Sequence, residues 1–432
     1  MSSRFAGLNL LCEERAPDGR LSILLASGLG MYLSVGIFLI YGFSVFIDPI
    51  AAETGWSRAG VAAAIAPVGL ITGIMSPVIG LMTDRFGPRR VLIFSSLAMS
   101  VGLIGIGLGS QTLSSLLVWV ALASLLGSAQ TGVAYSQIIV GWFHERRGAA
   151  LGLTLAFSGL GIATVPPLLS LAIEAFGWRM ALVIAGVCAA MILSPVALFM
   201  LRDPRRGELR SPDRGGWSVV VAAALTRDFW LLLTAFLLTA LVALAGSVSL
   251  PMILTDRGAT PETAALAMTV VGVALVLARL GFGASLDRCP PRALTCLAFI
   301  APAMGHLLLA ATDGVTPAFV SAALFGFAVG AEGDAMGYLL ARRFGTAAFG
   351  RIYGINYLAF CVGAGAGPSL LVALLSADGP SSVMAFGVAG LLGSVAPLLM
   401  LLVSDRTHAE GLAVSSSIDA TEAIKQLDAR KG

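Results

Sequence analysis

Three charged side chains interrupt otherwise apolar stretches of the chain: Arg279, Glu332 and Asp334. A charge at the depth of a membrane is costly, so such residues usually face a bundle interior or a water-filled cavity and serve a function. A guanidinium group is permanently charged, and its planar fork of donors matches a carboxylate. A carboxylate that faces it can exchange a proton as an anion arrives or leaves. The pattern predicts that Arg279 binds an anion and that Asp334 or Glu332 couples this binding to a proton.

These residues are predicted to lie at one level of the molecule. Arg279 is eight residues before Asp287, Asp334 is eight before Arg342, and Asn356 is eight after the start of its apolar run. Eight residues of helix rise about 12 Å. This rise places all three residues near the middle of a bilayer, slightly towards its cytoplasmic side.

Glu332 and Asp334 are two positions apart on a helix, so their side chains point roughly 200° apart and only one is expected to face a cavity. Asp334 shares a face with Gly330 and Tyr338 and is the preferred candidate. An alternative is that Arg279 forms a permanent structural ion pair with one of the two acids.

The elements that position these residues follow from composition. The chain has 432 residues, of which 57% are hydrophobic and 12% charged, and its mean hydropathy is +0.91. Such a chain cannot fold with most of its apolar surface in water, so it belongs in a bilayer. A helix needs about 20 apolar residues to cross the hydrocarbon layer. Twelve runs qualify and predict an all-α membrane protein with twelve transmembrane helices: 21–47, 58–83, 88–109, 113–141, 148–175, 178–201, 228–254, 261–286, 291–311, 315–341, 348–376 and 381–403.

The distribution of basic residues predicts the orientation in the membrane. The first twenty residues carry charges that interrupt any signal-peptide core, which predicts a cytoplasmic N-terminus. With that orientation 23 of the 27 Lys and Arg residues are cytoplasmic, Arg58, Arg179 and Arg257 are on the far side, and Arg279 is within a helix. The expected location is the inner, or plasma, membrane with both termini cytoplasmic. The five cysteines map to helices or cytoplasmic segments, so no disulfides are expected. Nucleic acid is not expected as a partner.

An internal repeat divides the chain into two halves. Gly80, Asp84, Arg85, Pro88 and Arg89 recur 203 residues later as Gly283, Asp287, Arg288, Pro291 and Arg292. The predicted domains are a cytoplasmic segment (1–20), two six-helix bundles (21–201 and 228–403), a cytoplasmic linker (202–227) and a cytoplasmic tail (404–432). A repeat in a polytopic membrane protein indicates a transporter with its site between the halves.

The repeat is also informative where it fails. Arg279 corresponds to Ser76, Glu332 to Ala129 and Asp334 to Thr131, so the three charges occur in the second half alone. Function could have broken the symmetry at these positions.

The repeated loop itself predicts a gate. Its glycines allow close helix packing, and Asp84 can accept hydrogen bonds from the N-terminal end of a neighbouring helix or from an arginine. Alternatively, the arginines only anchor the topology at the lipid headgroups. The predicted gating residues are Gly80, Asp84, Arg85, Arg89, Arg90, Asp287 and Arg288.

The stretch from Gly80 to Arg90 resembles the loop 2–3 signature of the major facilitator superfamily. Three further strings, Gly55–Arg58, Trp142–Gly152 and Gly177–Arg179, resemble the monocarboxylate transporters and their bacterial relatives, which include oxalate/formate antiporters. The resemblance implies two pseudo-symmetric six-helix bundles. It also implies a loop that holds the halves together at the start of helix 11, here Gly350–Arg351. In this family an arginine of helix 8 contacts the substrate carboxylate, which corresponds to Arg279.

One departure from the family narrows the expected substrate. Oxalate-handling relatives carry a lysine in helix 11, where Phe360 stands in this chain. One buried cation suits one carboxylate, so a monocarboxylate is favoured over a dicarboxylate. Tyr135, Tyr338, Asn356 and Phe360 are predicted cavity walls, although each aromatic ring could instead serve helix packing.

The leading hypothesis is a secondary active transporter, functional as a monomer, that moves a small organic monocarboxylate with a proton by alternating access. The alternatives are an organic-anion antiporter, a drug-type efflux carrier and a transporter-like receptor that senses a carboxylate. The sequence has no recognisable nucleotide-binding loop, metal-ligand cluster or nucleophile–base arrangement. An enzyme is therefore not expected, nor is a cofactor or a metal.

Overall fold

The computed structural model describes residues 19–203, 216–312, 314–378 and 382–404, and these residues form helices joined by short connections. Eleven helical segments in this part of the chain are long and apolar enough to cross a membrane. One of them, Arg147–Met200, contains Gly177 with φ 75° and ψ 161°. This left-handed conformation is costly for any residue with a Cβ atom, so glycine permits the reversal and the segment is two helices. The prediction of twelve spanning helices is confirmed within the described residues.

The first half contains six of these helices. Their bounds are α1 (Arg20–Thr54), α2 (Arg58–Phe86), α3 (Pro88–Gly109), α4 (Leu113–Trp142), α5 (147–176) and α6 (178–200).

The second half begins with a short helix, Gly216–Ala224, followed by six spanning helices. Their bounds are α7 (Arg227–Asp256), α8 (Pro261–Leu286), α9 (Pro291–Ala311), α10 (Val315–Phe344), α11 (Phe349–Asp378) and α12 (Val383–Leu402).

Two helices of the first half are interrupted near their middle. The α1 backbone leaves helical geometry at Leu33, and α4 is divided between Gly127 and Gly132. The breaks meet, because the Val35 amide donates to the Gln130 carbonyl at 3.2 Å. Backbone groups freed inside a membrane must find such partners. The corresponding helices of the second half, α7 and α10, are continuous.

The outer surface of the bundle is apolar. Phe94 is 76% exposed, Phe199 75% and Leu277 63%. Burying such side chains in hydrocarbon rather than in water is favourable, so this surface suits a lipid environment. The chain is a multi-pass membrane protein.

The halves meet at two helix crossings, where α2 packs on α11 and α5 packs on α8. Within the second half, α7 packs on α11 and α8 on α10. These crossings bring Arg279 and Asp334 to the boundary between the halves.

Several predicted regions lie wholly or largely outside the described residues. They are the N-terminal segment 1–20 with Cys12, much of the linker 202–227 and nearly all of the tail 404–432. The linker prediction gave no helix, whereas the structure contains Gly216–Ala224 inside it. The domain boundaries therefore stay predictions.

Candidate functional site

The repeated loop closes one side of the bundle. We call this the linker side, because α6 ends and α7 begins there. Asp84, at the end of α2, accepts hydrogen bonds from the amides of Gly350 (3.0 Å) and Arg351 (3.1 Å). It also accepts from the Arg351 Nε atom (3.1 Å) and the Gln137 side chain (2.8 Å). The carboxylate thus caps the N-terminus of α11 across the boundary between the halves. The predicted contact with Gly350–Arg351 is present.

Asp287, the repeat partner of Asp84, makes the matching contact. Its two oxygens accept from the amides of Gly148 (2.8 Å) and Ala149 (2.9 Å), in the first turn of α5. The sequence proposed Asp287 as a gating residue without identifying this surface. We call Asp84 and Asp287 the latch carboxylates, since each joins one half to a helix terminus of the other.

Glycines let the helices approach closely at both crossings. A Cβ atom on Gly80 would collide with the Gly350 carbonyl, and one on Gly283 would lie 2.6 Å from the Gly148 carbonyl oxygen. Repeat partners therefore occupy equivalent positions. The latch carboxylates and these glycines together join the two halves on the linker side.

The four predicted gating arginines make different contacts from the latch carboxylates. The Arg89 amide donates to Asp203 at 2.9 Å, and its guanidinium donates to the carbonyls of Ala197 and Leu198 at the end of α6. Arg89 therefore stabilises a helix terminus inside the first half. The remaining three, Arg85, Arg90 and Arg288, are exposed on the linker side. This position suits the alternative of headgroup contact, and their role in gating stays a prediction.

Disabling a latch carboxylate should open the linker side. In Asp84→Asn the amide oxygen keeps part of the acceptor capacity but loses the charge, and each hydrogen bond to a charged group contributes about 1.5–3 kcal/mol. We expect at least a roughly tenfold shift towards conformations with separated linker-side ends. Spin labels would be attached at Phe86→Cys and Arg342→Cys, with the other cysteines replaced. Opening of the linker side should lengthen the distance between the two labels, measured by electron paramagnetic resonance.

Asp203→Asn is the matched control, because Asp203 accepts its hydrogen bond from Arg89 within the same half. Its distance distribution should equal that of the parent protein. A shift in the control but not in Asp84→Asn would contradict the latch.

Arg279 lies on α8 next to the crossing with α5. Its Nε and Nη1 atoms are buried and have no hydrogen-bond partner among the described residues. A Cβ atom at Gly333 of α10 would lie 3.6 Å from Nη1 and 3.6 Å from Leu155 Cδ1 of α5. The guanidinium thus lies beside Gly333 of α10 and Leu155 of α5, at the meeting point of three helices.

The two acids of α10 face different neighbours. Both Asp334 and Glu332 are fully buried, and their carboxyl oxygens lack a hydrogen bond of normal geometry to the described residues. The Oδ2 atom of Asp334 would be 3.1 Å from a Cβ atom on Gly152 and 3.2 Å from one on Gly283, so it lies at the α5–α8 crossing. Glu332 instead lies near the backbone of Ala240 on α7.

Electrostatics link one of these acids to the arginine. The charge of Arg279 acts on the carboxyl group of Asp334 and on the hydroxyl groups of Tyr41, Tyr353 and Tyr357. The neighbours of Arg279 thus lie on α10 and α11, the two helices that the sequence analysis placed with it, and on α1.

The predicted wall residues are distributed over several environments. Phe360 is partly buried and lies near Tyr357, with ring centroids 5.5 Å apart. Asn356 is fully buried, and its side-chain amide donates to the Ile352 carbonyl of its own helix at 2.9 Å. Tyr338 is partly buried, at a position where it interacts with the charge of Arg147.

Tyr135 is packed inside the first half. Its hydroxyl donates to the Gln130 side chain, and its ring fills the space beside Gly30 of α1. This arrangement is the helix-packing alternative considered for the aromatic residues. A contact of Tyr135 with substrate stays a prediction.

Sequence reasoning missed Tyr41, Tyr353 and Tyr357 as neighbours of Arg279. A signal existed for two of them, because positions 353, 357 and 360 are aromatic and share one face of a helix. Tyr41 carried no comparable signal, since its orientation depends on the interruption of α1.

The family follows from a comparison with known proteins. The model of the Major Facilitator Superfamily matches residues 24–368 and 231–427. The chain belongs to this superfamily. It is therefore a transporter rather than an enzyme, and the resemblance in its helix count, repeat and loop signature is confirmed.

Relatives support the narrower resemblance within the superfamily. The chain is 28% identical to the oxalate:formate antiporter of Oxalobacter formigenes over 45% of its own length and 47% of that protein. It is 25% identical to monocarboxylate transporter 13 of Bos taurus over 60% of its own length and 58% of that protein. The matches thus cover about half the length of these two superfamily members.

A solved superfamily structure shares the fold. The human organic anion transporter MFSD10 superposes with a TM-score of 0.70 at 14% identity, over 89% of this chain and 100% of the other. At this identity the likeness concerns the twelve-helix fold alone.

Proposed function

We propose that this superfamily member moves a small organic monocarboxylate together with a proton by alternating access. One observation carries the proposal: the buried Nε and Nη1 atoms of Arg279 have no hydrogen-bond partner among the described residues. Leaving buried donors of a charged group unsatisfied is costly. A substrate carboxylate would compensate the charge and accept hydrogen bonds from the guanidinium.

Asp334 is the proposed proton carrier. It is the acid of α10 on which the charge of Arg279 acts, and it lies against the glycines of the α5–α8 crossing. When a substrate anion neutralises the guanidinium, protonation of Asp334 becomes easier. Glu332 faces α7 and is the second candidate.

The proposed cycle uses the two bundles, 21–201 and 228–403, as the moving bodies. The latch carboxylates close the linker side, and their release would open the site there. We assign the protein to the inner membrane, where it would function as a monomer. The linker side and both termini would face the cytoplasm. Asn356, Phe360, Tyr338 and Tyr135 are the further proposed wall residues.

The function is tested by uptake of labelled monocarboxylates into proteoliposomes. With the outside acidic, we expect accumulation above equilibrium, because inward proton flow drives the anion. A protonophore should abolish this accumulation and leave exchange of labelled for unlabelled substrate intact.

Other outcomes select the alternatives. Exchange without any response to a pH gradient would indicate an organic-anion antiporter. Binding without flux would indicate a receptor. Flux of uncharged hydrophobic compounds alone would indicate an efflux carrier.

A further inference from the structure

Three aromatic rings form one column on α11. Tyr353, Tyr357 and Phe360 are spaced four and three residues apart, so they share a helix face. Consecutive ring centroids are 6.2 and 5.5 Å apart, with interplanar angles of 19° and 21°. Other ring pairs of the second half, such as Phe236–Phe299 and Phe282–Phe327, meet nearly edge-on at 77° and 84°. The α11 column is therefore a set of nearly parallel rings.

The column faces the boundary between the halves. The Tyr353 hydroxyl would lie 3.4 Å from a Cβ atom on Gly132 of α4, and its ring 3.8 Å from one on Gly337 of α10. This face of α11 thus points towards α4 and α10. Tyr357 and Phe360 continue the same face and are only partly buried, so part of their surface remains open.

The column and Arg279 lie close to the same side chain, Leu155. A Cβ atom on Gly333 would be 3.6 Å from both Arg279 Nη1 and Leu155 Cδ1, and one on Gly132 would be 3.4 Å from the Tyr353 hydroxyl and 3.9 Å from Leu155 Cδ2. The charge of Arg279 also reaches the hydroxyl groups of Tyr353, Tyr357 and Tyr41. Tyr41 is on α1 in the first half, yet it senses a charge of the second half and is 44% exposed. Tyr41 thus brings a residue of the first half near Arg279.

Apolar groups also lie beside the guanidinium, where Leu155 and Gly333 are close to Nη1. A substrate hydroxyl placed against the ring faces of Tyr357 and Phe360 would lose hydrogen bonds to water. A flat apolar body would lose none.

We infer that the substrate is an aromatic monocarboxylate, with its carboxylate on Arg279 and its ring against Tyr357 and Phe360. This inference rests on the proposed function and names the substrate class of the same site. Aromatic rings gain offset or edge-to-face contacts beyond the burial of their area. The column would therefore distinguish a planar ring from a saturated ring of similar size.

Calorimetry on the purified protein tests the inference with benzoate and cyclohexanecarboxylate, which share the carboxylate and the number of carbon atoms. We expect benzoate to bind about 3- to 10-fold more tightly to the parent protein. Phe360→Leu and Tyr357→Leu should each reduce this ratio while binding of cyclohexanecarboxylate persists. Phe94→Leu is the matched control, because Phe94 is 76% exposed on the outer surface, and it should keep the full ratio.

The outcomes separate this inference from the function on which it rests. Equal affinities in the parent protein, or a ratio that survives in both α11 variants, would overturn the aromatic preference. Binding of acetate and pyruvate without binding of either ring acid would also overturn it and leave monocarboxylate transport standing. Failure of all four acids to bind would overturn both proposals. The comparison in the parent protein needs no variant, so it decides the matter even if an α11 variant does not fold.

Discussion

Arg279→Ala is expected to reduce monocarboxylate uptake by roughly 30-fold to more than 1000-fold. Truncating one partner of a buried, hydrogen-bonded charge pair costs about 2–5 kcal/mol, and every 1.4 kcal/mol or so is tenfold in affinity. Initial uptake rates in proteoliposomes, measured over a range of substrate concentrations, would reveal the effect.

Two further variants make this result specific. Arg279→Lys keeps the positive charge but loses the planar fork, so we expect weakened binding with residual transport. Arg227→Ala removes an arginine that is exposed at the start of α7, and it should transport like the parent protein. Uptake by Arg279→Ala at the parent rate would contradict the assignment of the substrate carboxylate to Arg279.

The sequence identified Arg279, Glu332 and Asp334 because a charge inside a membrane is costly and therefore conspicuous. The internal repeat supported this identification, because the equivalent positions in the first half hold uncharged residues. For Asp84 the residues alone predicted an acceptor for a helix N-terminus or an arginine, and the family resemblance implied the start of α11 as its partner. These inferences depend on local cost and symmetry, and both are visible in residue types.

The aromatic neighbours of Arg279 were harder to find. Tyrosine and phenylalanine are common in apolar helices, so no single ring is conspicuous. Tyr41 faces the site because α1 departs from regular geometry at Leu33 and then forms a π-helical turn, Ile37–Gly42. No proline marks that break, and the hydrogen bond from Val35 to Gln130 that accompanies it joins two distant segments. Tertiary contacts of this kind are absent from the residue pattern.

The repeat also explains how one site was built from two similar crossings. Ser76 of α2 donates to the Gly354 carbonyl of α11 at 2.7 Å. Its repeat partner Arg279 approaches Gly152 of α5, the partner of Gly354, through its backbone carbonyl. The Ser76 side chain therefore joins two helices of different halves. The Arg279 side chain makes no such bond at the equivalent crossing, so it is available for substrate. The symmetry of the crossings is kept, and only the side chain differs.

Asp334→Asn is expected to abolish pH-driven accumulation while exchange across the membrane continues. Asparagine keeps the size of the side chain at the α5–α8 crossing but cannot carry a proton. The substrate would still find Arg279, so labelled and unlabelled carboxylate should exchange at a rate within about tenfold of the parent protein. An acidic exterior should no longer raise the internal concentration above the external one.

Glu332→Gln provides the comparison that assigns the coupling role. The two acids are equally buried, but Glu332 lies near Ala240 on α7, whereas Asp334 lies at the crossing between the halves and within the influence of Arg279. Accumulation in response to the pH gradient should therefore survive in Glu332→Gln and fail in Asp334→Asn. The reverse pattern would transfer the coupling role to Glu332, and survival in both would remove α10 from the proton path. Because both variants replace a carboxyl group by an amide of the same size, a difference between them reports the position of the acid rather than a general loss of packing.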